Sequence, residues 1–207
     1  LVRLAANRNG YLLCLSEFFF GIGGFIFVTW FYTYFAEVRR AGNEYSGLLS
    51  SCNYVALIVA APIGGLLCDR CVRRFGSRWG RRIVPLVSLA LSGLCTVVAP
   101  LIENHTASAL VFAVSCGFTF AAAPVFWSLL IDVTRRGTGL LGGLMNGAGN
   151  LGSALATKYF PCLLPSLGYE RSIQLAGLMT IVAGLVWLGL DASRQIDAPA
   201  EVPAAPR

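Results

Sequence analysis

Six long apolar stretches, separated by short charged gaps, make up most of this 207-residue chain. One bilayer crossing takes about 20 residues, so six crossings use more than half of the length. Charged residues are only 13% of the chain and hydrophobic residues 56%, whereas a soluble domain carries roughly 25% charged residues. What remains between the stretches is too short for a separate soluble domain, so the sequence predicts an integral membrane protein.

The predicted fold is all-α, with one transmembrane domain over residues 10–190. Its six spans are predicted at residues 10–35, 46–68, 83–101, 107–131, 139–163 and 172–190. Connections this short make consecutive helices antiparallel neighbours. Residues 1–9 are predicted to be a cytoplasmic lead-in. The Ala- and Pro-rich segment 191–207 is predicted to be a disordered cytoplasmic tail.

The basic residues predict the orientation, because Lys and Arg near span ends favour the cytoplasmic side. With a cytoplasmic N-terminus, only Arg39, Arg40, Lys158 and Arg171 fall on the far side. Both termini are therefore predicted to be cytoplasmic. The net charge of +6 does not indicate nucleic-acid binding here, because the charges lie between membrane spans.

The cysteines and the single histidine do not suggest a metal site, a cofactor or an enzyme. Cys68 and Cys71 form the only close cysteine pair, and His105 lies in a predicted loop, so zinc ligands are too few. An intramembrane serine protease would need a histidine within a span. A self-assembling six-helix channel or pore is the alternative function, although neither paired asparagine half-helix motifs nor a filter loop is evident.

The charged gap after the second span carries a recognisable pattern. Residues 64–82 read GGLLCDRCVRRFGSRWGRR, in which Gly65 precedes Asp69 by four residues and Arg74 follows Arg70 by four. A positive-inside anchor explains the arginines. It does not explain the spacing, since a glycine allows close helix approach and a terminal Asp can pair with an Arg or cap a helix.

This gap resembles the loop signature G-x-x-x-D-R-x-x-x-R of the major facilitator superfamily. Gly65, Asp69, Arg70 and Arg74 match the signature, and Val72 stands where the commoner form has Gly. The elongated loop, together with residues 16–35 and 143–155, is similar to the second half of transporters of the anion–cation symporter family. The resemblance covers residues 7 to about 191 and implies helices seven to twelve, with the first six absent from this chain.

The resemblance implies half of a secondary transporter for a small organic anion, such as a sugar acid or related carboxylate, moved with protons by alternating access. Such halves consist of two inverted three-helix repeats. The implied partners are the anion, protons, the lipid bilayer and an N-terminal six-helix half. The implied location is the plasma membrane, here a bacterial inner membrane. The four signature residues would act as a conformational latch.

The fifth span places polar residues on one face. At 100° per residue, Asn146, Asn150, Ser153 and Thr157 form a narrow stripe edged by glycines. The leucines at 141, 144, 151 and 155 lie opposite and are expected to face lipid. Both amides either bond to a neighbouring helix or line a substrate cavity. The resemblance implies that Asn146 contacts substrate and that Asn150 contacts or supports it.

Glu17 is the only carboxylate well inside a predicted span. A charge at that depth costs several kcal/mol unless it faces water, a partner or its own proton. Glu17 is therefore either a snorkelling acid or a cavity residue that binds substrate hydroxyls or titrates during transport, with Gly21 and Gly24 leaving space beside it. Related symporters often carry a neutral residue here, but a protonated Glu17 can still donate to a carboxylate.

The fourth span contains Pro124, which kinks a helix and favours a hinge or ligand site. Trp127 is either an interfacial anchor or a substrate-stacking residue, and Ser128 beside it is the remaining predicted substrate contact.

Overall fold

The structure is a computed structural model that describes residues 7–134, 137–193 and 196. All regular elements in that part of the chain are helical, which confirms the all-α prediction. Four long helices are each long and apolar enough to cross a membrane. They are α1 (Arg8–Val38), α2 (Asn43–Val98), α3 (His105–Val133) and α4 (Thr138–Val186). The turns Ala99–Leu101 and Trp187–Gly189 extend α2 and α4 as 3₁₀-helix.

Asparagine side chains begin two of the helices. The Asn7 side chain accepts a hydrogen bond from the backbone N–H of Asn9 at 3.0 Å, and Asn104 accepts one from Ala107 at 2.9 Å. Such caps satisfy N–H groups that have no partner within the helix. Near its other end, α1 contains two π-helical turns, Ile26–Trp30 and Tyr34–Val38.

The second helix is interrupted at Gly76, which divides it into arms 43–75 and 77–98. At about 1.5 Å per residue, its 56 residues would extend about 84 Å if straight, far beyond a bilayer core of about 30 Å. Gly76 has φ +77° and ψ 168°, a conformation almost restricted to glycine. Beyond it the chain returns along itself, so that a Cβ on Gly80 would overlap the Val72 backbone.

The fourth helix reverses in the same way at Gly168, where φ is +77° and ψ is 170°. Its arm 138–167 runs parallel to α1: Gly149 lies beside Glu17, and the rings of Trp30 and Phe160 stack at 5.0 Å. Its arm 169–186 runs antiparallel to α1, because the Ser16 hydroxyl donates to the Ala183 carbonyl at 2.9 Å while the Trp30 ring lies 6.4 Å from Tyr169.

The charged gap at residues 69–82 is helical on both sides of Gly76, although the sequence predicted a connection between spans. Arginine is a good helix former, so the arginine run continues each arm by about two turns and leaves the glycine as the break. The two helical breaks lie inside predicted gaps, at 69–82 and 164–171.

The two ends of the helical body lie together. The Asn9 side chain donates to the Asp191 carbonyl oxygen at 2.7 Å and accepts from the Asp191 backbone N–H at 2.9 Å. The start of α1 and the segment after α4 are therefore on one side of the bundle. Residues 1–6 of the predicted lead-in and 194, 195 and 197–207 of the predicted tail lie outside the described residues. Ile196 donates its N–H to the Val133 carbonyl at 2.8 Å.

Close backbone contacts hold the helices together. A Cβ on Gly21 would overlap the Gly149 carbonyl, and a Cβ on Gly93 would overlap the Gly177 carbonyl. Small residues bring membrane helices close enough for dispersion contacts to accumulate. Four buried hydroxyls add a polar contact between α2 and α3, with oxygen separations of 2.5 to 3.0 Å. They belong to Ser92, Thr96, Ser115 and Thr119.

One expectation about the lipid-facing side was wrong. Leu141 was expected to face lipid, but it is 0% exposed and belongs to a core that includes Leu130 and Met145. The start of α4 packs against the end of α3, so the projection of one helix alone misassigned this position. Leu151 of the same predicted face is 55% exposed.

Adding a methyl group at Gly64 should destabilise the bundle. A Cβ there would overlap the backbone of Ala121, whereas a Cβ on Gly47 of the same arm meets no atom within 4 Å. Overpacking a tight contact typically costs about 1–3 kcal/mol. We expect Gly64→Ala to lower the melting temperature of the detergent-solubilised protein and Gly47→Ala to leave it unchanged or raise it. Equal melting temperatures for the two variants would contradict this packing.

Candidate functional site

A cavity of about 310 Å³ opens between α1 and the arm 138–167. Three of the five predicted substrate contacts line it: Glu17, Asn146 and Asn150. Gly21, Gly24 and Gly149 lack side chains at its wall, which leaves room beside the polar groups. The remaining lining residues include Ser153, Thr29 and the aromatic rings of Phe20, Phe25 and Phe120.

Glu17 presents an unsatisfied carboxylate oxygen at the cavity. Its Oε2 atom is buried and has no hydrogen-bond partner among the described residues. Gly149 makes this position possible, because a Cβ there would lie 2.9 Å from the Glu17 Cγ. Glu17 lies nine residues beyond Arg8, roughly 14 Å along the helix axis. A buried oxygen at that depth favours a cavity group over a side chain that snorkels to the interface.

The two amides of the polar stripe project from the bundle. Asn146 and Asn150 are both exposed, one helical turn apart, and neither side chain hydrogen-bonds to a described residue. The alternative that both amides bond to a neighbouring helix therefore finds no support in the described residues. Ser153, one turn further, donates its hydroxyl to the Gly21 carbonyl at 3.0 Å and ties the stripe to α1.

Trp127 and Ser128 do not line this cavity. Trp127 is 48% exposed, and a Cβ on Gly142 would lie 3.3 Å from its ring. The Ser128 hydroxyl donates to the Pro124 carbonyl at 3.0 Å, within its own helix. The substrate contacts predicted for these two residues stay predictions. Phe120, one turn before Pro124, is the α3 residue that lines the cavity. No feature of the sequence distinguishes it from the other apolar residues of that span.

The signature loop contains a charge network centred on Arg81. Its Nη1 lies 3.5 Å from the Asp69 Oδ1, and its Nε lies 2.7 Å from the Asp132 Oδ2. The network therefore connects both arms of α2 with the end of α3. Arg81 is also the more buried partner, with 14% of its side chain exposed against 58% for Asp69.

The other signature residues occupy different positions. Gly65 faces Pro124 of α3, whose Cβ and Cγ would lie 3.9 Å from an added Cβ. Arg70 and Arg74 are exposed, and the Arg74 guanidinium lies 5.6 Å from the ring of Phe75. Among the described residues the ion-pair partner of Asp69 is Arg81, which sequence analysis did not single out. The latch roles of all four signature residues stay predictions.

The described residues bring together no group of three or more His, Cys, Asp or Glu side chains that could hold a metal ion. The cavity presents groups suited to reversible recognition of a polar solute. Two amides supply donors and acceptors, a carboxyl group gains or loses a proton, and aromatic rings line the remaining wall.

Curated relatives of this chain are transporters of anions by name. A probable sulfoacetate transporter of Cupriavidus necator is 27% identical over 198 residues, covering 94% of this chain and 46% of the relative. High affinity nitrate transporter 2.7 of Arabidopsis thaliana is 30% identical over 155 residues, covering 73% and 30%. The hexuronate transporter of Bacillus subtilis is 25% identical over 166 residues, covering 78% and 39%.

The chain spans less than half the length of these relatives. All three are named as transporters, which confirms the prediction that the protein is not an enzyme. The sequence model of the Major Facilitator Superfamily matches residues 13–207, nearly the whole chain. The resemblance seen in the signature loop is thereby confirmed: this multi-pass membrane protein belongs to the Major Facilitator Superfamily.

Proposed function

We propose that this chain is one six-helix half of a secondary active transporter that moves a small organic anion with protons by alternating access. The six crossings are α1, the two arms of α2, α3 and the two arms of α4. Each arm has about the length that a crossing needs, and the reversals at Gly76 and Gly168 alternate their direction. The first three crossings and the last three then correspond to the two inverted repeats of such a half.

The observation that carries the proposal is the polar cavity on an exposed face. Asn146 and Asn150 are exposed within the apolar part of the helix, where lipid contact would leave their donors and acceptors unsatisfied. A second six-helix half that covers this face encloses the cavity between the two halves. The substrate then binds near the middle of the membrane, where transporters of this architecture bind their substrates.

An organic anion is the substrate class that the cavity and the relatives favour together. Amide N–H groups donate to carboxylate oxygens, and a protonated Glu17 adds one further donor. Sulfoacetate, nitrate and hexuronate, the compounds in the relatives' names, are all anions. A sugar acid or related carboxylate fits a cavity that combines donors with aromatic rings. The arginine that pairs with the anion is expected in the other half, because no predicted span of this chain contains one well inside it.

The charge network on Arg81 is proposed to act as the conformational latch. It connects three helix ends through two ion pairs, Asp69–Arg81 and Arg81–Asp132. Rocking one half against the other changes the spacing of helix ends. Partly exposed pairs of this kind are individually weak, so they can form in one access state and break in the other without trapping either.

The asymmetry of basic residues supports two cytoplasmic termini, and the membrane we propose is a bacterial inner membrane. The start of α1 and the segment after α4 lie on one side of the bundle, as that orientation requires. The channel alternative is not favoured, because the named relatives are transporters.

Asn146 is expected to contribute to substrate affinity. We expect Asn146→Ala, in the complete protein that contains this chain, to raise the KM for hexuronate uptake about tenfold, equivalent to losing one good hydrogen bond to a charged group. The matched control is Asn43→Ala, which removes an exposed amide at the start of α2. Uptake into proteoliposomes gives both values. An unchanged KM for Asn146→Ala would remove this residue from the site.

A further inference from the structure

A second polar cavity, of about 280 Å³, lies where α1 begins and α4 ends. It is separate from the proposed substrate site and does not share a lining residue with it. Three arginines line it, one from the start of α1 and two from the start of the arm 77–98. The lining comprises Arg8, Arg78, Arg82, Asn7, Asn9, Leu188, Gly189 and Asp191.

Arg82 is the central cation of this cavity. Arg82 is only 6% exposed. Its Nε donates to the Leu190 carbonyl, and its guanidinium carbon lies 5.2 Å from the centre of the Trp79 ring. Its two terminal amino groups make no hydrogen bond to a described residue, and neither is fully enclosed by protein atoms. A guanidinium taken out of water is costly unless an anion pairs with it. The two terminal amino groups of Arg82 are therefore placed to bind a negatively charged ligand in the cavity.

The protein's own carboxylate does not neutralise the cavity. Asp191 Oδ2 lies 3.6 Å from the Arg78 Nε, while its Oδ1 accepts from the hydroxyl and N–H of Ser193 at 2.6 and 3.1 Å. The hydrogen bond from the Ser193 hydroxyl lowers the pKa of Asp191, so this carboxyl group is ionised at neutral pH. Among the described residues that line the cavity, three guanidinium groups stand against one carboxylate, an excess of two positive charges.

The surroundings of the cavity match the headgroup region of a bilayer. Trp79, 52% exposed, lies beside Arg82, and Leu188, 49% exposed, forms part of the rim. Exposed tryptophans next to arginines at the ends of apolar spans are typical of the membrane interface. The N-terminus of α1 also reaches the cavity through Arg8 and adds the positive end of a helix dipole.

We propose that this arginine cavity binds a phosphate group, carried either by an anionic lipid headgroup or by a soluble phosphate. A phosphate offers several acceptor oxygens to the planar donor edges of arginine. Its one or two negative charges also offset the excess positive charge of the cavity. The exposed apolar rim at Leu188 gives the acyl chains of a lipid a surface beside the bound headgroup. Basic pockets between membrane helices commonly hold anionic headgroups in this way.

The test is a titration of the purified, detergent-solubilised protein with phosphatidylglycerol, with neutral diacylglycerol as the probe that lacks phosphate. We expect saturable binding of phosphatidylglycerol that weakens about tenfold in Arg8→Gln and in Arg82→Gln, because each loses one charge-assisted contact. Arg73→Gln is the matched control, since Arg73 is an exposed arginine of the same loop outside the cavity. Arg8→Gln decides the result if Arg82→Gln fails to fold.

Competition by inorganic phosphate identifies the source of the phosphate group. Displacement of phosphatidylglycerol by inorganic phosphate means that soluble phosphate occupies the same site. Binding that resists inorganic phosphate but is lost in Arg8→Gln means a lipid headgroup. The proposal is overturned if Arg8→Gln and Arg82→Gln both bind phosphatidylglycerol as the unmodified protein does. It is equally overturned if Arg73→Gln loses as much affinity, or if diacylglycerol binds as well.

Discussion

Glu17→Gln should abolish the pH dependence of the KM for substrate without lowering the amount of protein in the membrane. Glutamine preserves the size of the side chain and an N–H donor but cannot exchange a proton. In the proposed mechanism, protonated Glu17 donates to the anionic substrate, and ionised Glu17 repels it. We therefore expect the KM of the unmodified protein to rise with pH as Glu17 ionises, and the KM of the variant to stay flat. At alkaline pH the variant should have a KM at least about tenfold lower.

The measurement is initial uptake at a series of pH values, normalised to protein in the proteoliposomes. Glu103→Gln is the matched control, because Glu103 is an exposed acid in the connection between α2 and α3, away from the cavity. Its pH profile should match that of the unmodified protein. Uptake by Glu17→Gln that is normal at every pH would remove Glu17 from substrate binding and from proton coupling alike.

Asp69→Asn should slow turnover more than it weakens substrate binding. The change removes one of the two ion pairs of Arg81 and leaves the shorter one, to Asp132, in place. A partly exposed ion pair contributes up to about 1 kcal/mol, equivalent to about fivefold in an equilibrium. We expect kcat to fall up to about fivefold and KM to change by less than about twofold, with Asp132→Asn acting in the same direction because it holds the same arginine.

Steady-state uptake separates the two parameters. Glu44→Gln, at the opposite end of the same arm and exposed, is the control and should leave kcat unchanged. A pure loss of affinity in Asp69→Asn, with normal kcat, would contradict a latch. It would instead mean that the charge network shapes the substrate site.

The polar side of the cavity could be predicted from the sequence because it depends on one helix at a time. The spacing of Asn146 and Asn150 gives their common face directly, and the isolation of Glu17 among apolar residues singles it out. That these two elements adjoin was implied only by the family resemblance. The cavity between them also depends on Gly149, whose missing side chain admits Glu17.

What the sequence did not predict depends on how the helices meet. Arg81 reaches Asp69 only because α2 reverses at Gly76, and it reaches Asp132 only because α3 ends beside that turn. Leu141 is buried because the end of α3 covers it, which no projection of α4 alone reveals. Phe120 lines the cavity, while Trp127, chosen for its chemistry, does not. The periodicity of a helix shows which residues share a face. Whether that face is buried depends on the helices packed against it.

Proton-coupled transport can be measured as uptake of hexuronate into proteoliposomes that contain the complete protein, with and without an inwardly directed proton gradient. A proton-coupled transporter should accumulate the anion above its external concentration when the gradient is present. A protonophore should return the internal concentration to equilibrium. Uptake that stops at equilibrium under both conditions, with a flux unaffected by the proton gradient, would contradict proton-coupled transport and favour a passive pore.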